Sequence, residues 1–341
     1  MTREYFSSLQ DLISKATNIV ILSHKNPDGD AIGSSLGLRN ILYKQQKQAK
    51  VIVPDSFPKF LRFLPDSKSI WFFDKMQEQC SKAIQEADLI FILDFNTLKR
   101  IDEIGELVNA NPCPIVLIDH HPNPDIDTPY IYHRIEVSST SELIYEFAQK
   151  MFPDAKLSSK AATCLYAGLV TDTGSFRHNL HVKTHITASK LLQAGADHQS
   201  VMQEIFDSNS LNRTKLLGYA LSEKLQIDPN HGIAYIALSQ EELKRFDYKK
   251  GDTEGFVNIA LGIEGVNAAV LLTENSEDLT KLSFRSHGDF AVNAFAQSFF
   301  GGGGHKNAAG GAFHGNVDKA VEDLLSKIPE LIKMNLNKLR S

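Results

Sequence analysis

His24-Lys25-Asn26-Pro27-Asp28-Gly29-Asp30, Asp94, Asp119-His120-His121 and Asp172 are the side chains of this sequence whose types could do chemistry together. Histidine offers a neutral nitrogen and aspartate a hard anionic oxygen, so a set rich in aspartate with a few histidines suits Mn²⁺ or Mg²⁺ better than zinc. The three cysteines, Cys80, Cys113 and Cys164, are scattered with no C-x-x-C pair, which indicates neither a thiolate zinc site nor a disulfide framework. Taken singly, each cluster has an ordinary reading: a turn, a helix cap, a surface histidine pair. Meeting in one place, so many carboxylates would repel one another unless cations neutralised them, and two divalent ions are the expected solution.

The elements that must position these residues are apolar runs. Residues 18–22, 89–93 and 115–118 are too apolar for half-exposed strands and too short to cross a membrane, which predicts buried parallel strands. His24, Asp94 and Asp119 then emerge at or beyond the carboxyl ends, where ligands collect in open α/β sheets. Pro27 and Gly29 predict a tight loop that turns His24, Asp28 and Asp30 toward one point. Helices are expected over 31–46, 141–151, 159–170 and 184–193, with a further strand at 50–53, so the first domain reads as α/β with a doubly wound, mostly parallel sheet. A polar stretch with helical spacing, 199–226, reads as a connector. Beyond it, strands at 232–238, 267–273 and 281–284, a helix at 290–300 and a last helix at 317–336, broken or kinked at Pro329, make a smaller α/β domain. The expected division is 1–195, a helical linker 196–226, and 227–341.

With 341 residues, 42% of them hydrophobic and 23% charged, the chain can bury a core in each of two domains. A net charge of -5 argues against binding long duplex nucleic acid through counterion release. The first fifteen residues carry Glu4 and Asp11 and read as an amphipathic helix, not a signal peptide, so a cytoplasmic protein with no membrane partner is expected.

In order along the chain, His24-x-x-Pro27-Asp28-x-Asp30, Asp94, Asp119-His120-His121 and Asp172 match the four motifs of the DHH phosphoesterase superfamily, which the chain resembles over about residues 19–176. The resemblance implies a phosphohydrolase with two Mn²⁺, for which Mg²⁺ or Co²⁺ could substitute. It implies His24 and Asp28 on one ion, Asp30, His120 and Asp172 on the other, and Asp94 between them. Asp119 would orient His120, and His121 would face the substrate or leaving group.

The run from Gly301 to Gly311 is the other outstanding segment, because glycines let backbone N–H groups approach phosphate oxygens. Residues 302–310 resemble the G-G-G-H-x-x-A-A-G signature of the DHH-associated C-terminal domain, and Ser283-Phe284-Arg285-Ser286 resembles its arginine strand. By that resemblance Arg285, His305, Gly302, Gly303 and Gly304 would hold a substrate terminus; Arg177 and His178, after the fourth motif, are further candidates. In size and domain order the chain resembles compact bacterial enzymes that hydrolyse oligoribonucleotides of two to five residues and remove the 3′-phosphate of 3′-phosphoadenosine 5′-phosphate. Two alternatives stand beside that expectation: a phosphodiesterase for cyclic or linear di-adenylate, and a non-catalytic nucleotide sensor. A homodimer is left open.

Overall fold

The structure, a computed structural model, describes residues 3–177, 179–276 and 278–338. The chain divides into two compact units, the first ending at Ser208 and the second beginning at Asn209.

The first unit is built on six parallel strands, β1 (Ile19–Leu22), β2 (Ala49–Val53), β3 (Trp71–Phe72), β4 (Leu89–Leu93), β5 (Ile115–Asp119) and β6 (Tyr130–His133), in the order β3-β2-β1-β4-β5-β6. Period-two alternation sends residues of one strand to opposite faces. Ile21, Val53, Phe91 and Ile118 pack with the helices Gly29–Lys44, Thr140–Met151 and Ser159–Asp172. Leu22, Ile52, Ile92 and Leu117 pack with Ile84, Ile104 and Val108 of the helices Gln77–Gln85 and Glu103–Ala110. Apolar side chains on both faces are why these strands read as unbroken hydrophobic runs. Strands β3 and β6 escaped the sequence reading, one because it has two residues, the other because it is an edge strand with a polar end.

The strand order reverses between β1 and β4, the topological switch point of a doubly wound sheet, and His24 and Asp94 follow just beyond the ends of these two strands.

The second unit holds a mixed six-stranded sheet of β7 (Leu225–Asp228), β8 (Ile233–Leu238), β9 (Ala268–Ser276), β10 (Leu279–Ser286), β11 (Gly303–His305) and β12 (Ala308–Phe313), ordered β11-β12-β10-β9-β8-β7. Only β8 and β9 run parallel within it. One face packs on the helices Asn293–Phe300 and Val317–Lys338, the other on Gln240–Arg245 and Phe256–Leu261. The last helix runs through Pro329, where the sequence predicts a break; Leu324, Ile328 and Leu331 keep one buried stripe on both sides of the proline. Among the described residues no helix is long and apolar enough to cross a membrane.

Candidate metal centre

Two short elements place the first motif. Asp28 caps the helix Gly29–Lys44, its Oδ1 accepting from the N–H groups of Asp30 and Ala31 at 3.0 Å each. Asp30 is therefore in the first helical turn and not in the loop, which corrects the expectation of one loop carrying all three ligands. Its buried carboxylate receives the N–H groups of Thr140 (2.6 Å) and Ser141 (2.9 Å) from the start of the helix Thr140–Met151. An anion at a helix N-terminus is stabilised by unpaired N–H groups and the helix dipole. The hydroxyl run 138–140 reads as a cap in sequence, and Ser139 is that cap; Thr140 and Ser141, just inside the helix, do the further work of holding the motif. Thr140 Oγ1 also donates to Asp94 Oδ1 at 2.9 Å.

Close helix packing brings the fourth motif to the first. A Cβ on Gly33 would lie 2.6 Å from the Cys164 carbonyl and 2.8 Å from Gly168 N, and one on Gly168 would strike Ser141 Oγ and lie 2.8 Å from Asp30 Oδ1. The helix Ser159–Asp172 thus touches the helix Gly29–Lys44 backbone to backbone, and Asp172, in its last residue, comes beside Asp30. Glycines spaced four apart at 29, 33 and 37 were the sequence signal for this contact.

Asp94 adopts a left-handed backbone conformation (φ 66°) directly after β4. His24 Nε2 lies 3.5 Å from Asp94 Oδ2 and 4.0 Å from Asp28 Oδ2; His120 Nε2 lies 3.5 Å from Asp94 Oδ1 and 3.6 Å from Asp172 Oδ2. The motif residues form the groups His24-Asp28-Asp94, Asp30-His120-Asp172 and Asp94-Asp119-His121, each with ligand atoms within 4.8 Å of one another, and the two oxygens of Asp94 face the first two, Oδ2 toward His24 and Oδ1 toward His120. His24 Nδ1 donates to the Lys25 carbonyl at 2.9 Å, which leaves the Nε2 lone pair on the Asp94 side.

One motif residue differs from expectation. Asp119 Oδ1 meets His121 Nδ1 at 2.8 Å, so Asp119 orients His121 and not His120. Residues two apart leave an extended chain on the same face, and adjacent residues do not. The other oxygen, Oδ2, is buried with no hydrogen-bond partner.

Burial sets the titration of the cluster. It lifts the Asp30 carboxyl well above the usual range, helped by the charges of Asp94 and Asp172, and lifts Asp172 to about 7. Burial would lower His120, but its bond to Asp94 and the charges of Asp172 and Asp94 outweigh that and raise it to about 10. Burial likewise opposes ionisation of Asp94, and the bonds from His120 and His24 override it, holding Asp94 well below the usual range. Without cations, then, the cluster retains protons. A buried orphan carboxylate oxygen, two carboxyls whose ionisation burial and neighbouring anions oppose, and an all Asp/His donor set fit hard divalent cations.

Arg100 is a site residue the sequence reading missed. It lies in the turn Leu98–Ile101 after β4, with Nη1 3.4 Å from His121 Nε2. A basic residue a few positions beyond a strand-end aspartate was the available signal. Arg177 is exposed, and His178 lies outside the described residues.

In the second unit, strand register assembles the other motif. Arg285 of β10 and His305 of β11 both pair with Ala308 of the intervening β12, so the two side chains flank one small residue on one face. Gly303 and Gly304 lie in β11, paired with Gly310 and Ala309; a Cβ on Gly302 would collide with the Gly310 backbone. The glycine run is thus a hairpin strand held close to its partner, with Gly302 and Gly304 required by sterics and Gly303 open to solvent.

The pattern of the DHH family N-terminal domain matches residues 18–169, and that of the DHHA1 domain matches residues 230–334. The chain is 30% identical over 329 residues to the probable bifunctional oligoribonuclease and PAP phosphatase NrnA of Streptococcus mutans, covering 96% of this chain and 99% of that one. It is 30% identical over 331 residues to the cyclic-di-AMP phosphodiesterase GdpP of Geobacillus thermodenitrificans, of which it spans 48%. The crystal structure of an exopolyphosphatase-related protein from Bacteroides fragilis superposes with a TM-score of 0.92 at 40% identity, over 98% of each chain. Two grouped Asp/His clusters at the switch point of a doubly wound sheet, followed by a separate glycine-hairpin unit, are therefore the parts of a DHH-family phosphoesterase, and this chain belongs to that family.

Proposed function

We propose that this chain hydrolyses oligoribonucleotides of two to five residues to mononucleotides and removes the 3′-phosphate of 3′-phosphoadenosine 5′-phosphate, with two divalent ions, Mn²⁺ foremost. The observation that carries the reading is Asp94 with one oxygen toward each ligand group, the arrangement a carboxylate shared by two ions requires. His24 and Asp28 would hold one ion and Asp30, His120 and Asp172 the other. Bound there, the ions would supply a water of lowered pKa and neutralise charge on the phosphoryl oxygens. His121, steadied by Asp119, is the group to meet the substrate or leaving oxygen. Arg285, a planar fork suited to two phosphate oxygens, would hold the nucleotide end with His305 and the Gly302, Gly303 and Gly304 backbone.

A second reading, phosphodiesterase action on cyclic or linear di-adenylate, is favoured by the similarity to GdpP over 94% of this chain. Rates on a trinucleotide RNA, 3′-phosphoadenosine 5′-phosphate and cyclic di-AMP, each with Mn²⁺ and with chelator, separate the readings. Turnover of the first two, abolished by chelation, is the expected result. Turnover of cyclic di-AMP alone would move the assignment to the second reading, and tight binding with no product would make the chain a nucleotide sensor.

A further inference from the structure

Arg100 stands apart from the other half-buried arginines of its unit. Arg39 and Arg134 are each ion-paired, with Asp66 (3.4 Å) and with Glu146. Arg100 is half-buried too and lies on the rim of a dense carboxylate cluster. Among the described residues, however, no carboxylate comes within 4.0 Å of its guanidinium, and its one side-chain partner is a histidine nitrogen. A partly desolvated guanidinium that is left without an anion is uncommon, because its five donors are costly to bury unsatisfied.

Its placement is constrained. The Arg100 carbonyl accepts from Lys25 N at 2.9 Å, and Arg100 N donates to the Thr97 carbonyl at 3.1 Å, which ties the turn to the loop carrying His24. On the side-chain end, Asp119 accepts from His121 Nδ1–H, so His121 Nε2 is the acceptor and Arg100 the donor. One Nη1–H is directed at the ring whose Nδ1 lies 3.8 Å from Asp94 Oδ1, and the remaining donors have no carboxylate to engage.

We propose that Arg100 grips a non-bridging oxygen of the phosphoryl group under attack, as the fixed protein cation complementing the divalent ions. This rests on the phosphoesterase reading above. A phosphate ester is the anion that such a centre must attract, and a planar fork offers it two parallel N–H groups where lysine would offer a point charge.

The test uses the full chain loaded with Mn²⁺, as wild type, Arg100→Gln and Arg100→Lys. Inorganic phosphate binding and Mn²⁺ binding are measured by titration calorimetry, and kcat and KM on whichever phosphate ester the wild type turns over. Arg100→Gln should weaken phosphate about tenfold or more and lower kcat/KM about 10²-fold, with Mn²⁺ affinity within about twofold of wild type and Arg100→Lys recovering part of the loss. Phosphate affinity unchanged in Arg100→Gln, or absent in the wild type, overturns the proposal. So does a parallel fall in Mn²⁺ affinity, which would make Arg100 a brace for His121. A wild type that binds phosphate through Arg100 yet turns over no ester would instead sink the hydrolase reading alone.

Discussion

The two motif-bearing regions use glycine and charge in opposite ways. In the first unit Gly33 and Gly168 lack a Cβ so that two helices can touch, and the contact brings half-buried Asp172 close to buried Asp30 and His120. In the second unit Gly302 and Gly304 let a hairpin close at a sheet edge, and Arg285 and His305 stand half-exposed on either side of Ala308. One region is a packed cluster of hydrogen-bonded groups; the other offers a surface. Losses in the first should therefore register in chemistry and metal affinity, and losses in the second in substrate affinity.

Asp94→Ala removes the carboxylate whose oxygens face both ligand groups and should lower kcat by about 10³-fold or more, read as mononucleotide or phosphate release with saturating Mn²⁺. An Asp94→Ala enzyme of normal kcat would break the comparison outright. Next in size is the contrast between glycines. Gly168→Ala should cost about 1–3 kcal/mol or more in denaturant unfolding and weaken Mn²⁺ binding, because the new methyl displaces Ser141 and Asp30. Gly303→Ala, whose Cβ meets nothing within 4 Å, should leave the unfolding midpoint in place. Equal destabilisation by the two would erase the distinction between packed and open glycine. Arg285→Ala should raise KM about tenfold, roughly 1.4 kcal/mol of binding, with little change in kcat. A fall in kcat with constant KM would move Arg285 into the reaction itself.

The smallest effect is on pH. Asp172 in the folded, metal-free chain titrates near 7, above its unfolded value, so the stability tied to its proton is present in acid and lost as pH rises through 7. The metal-free chain should melt lower at pH 8 than at pH 6, and the rise in Tm on adding Mn²⁺ should be larger at pH 8, where the Asp172 proton no longer has to be displaced. A metal-induced shift that shrinks between those values would contradict Asp172 as a ligand.

Much of this was legible in the linear chain because buried parallel strands announce themselves as apolar runs, and the residues at their carboxyl ends follow by position. His24, Asp94 and Asp119 could be placed that way, and the capping serines before residue 140 by their hydroxyl cluster. The Asp119–His121 bond could not, since adjacent histidines look equivalent until the backbone decides which shares a face with the aspartate. Arg100 was missed because its one signal, a basic residue a few positions beyond a strand-end aspartate, is weak without the turn that brings it to His121.

What the sequence determined by itself was the doubly wound sheet, a second α/β unit and the Asp and His residues that stand beyond the strand ends, since local hydrophobic period and residue chemistry need no distant partner. Only tertiary structure decided that Asp30 and Asp172 meet through a glycine-lined helix contact, that Thr140 and Ser141 hold the first motif from more than a hundred residues away, and that Arg285 and His305 face one another across Ala308. Those relations depend on packing distance and strand register, which are properties of the assembled backbone and leave no local trace in the chain.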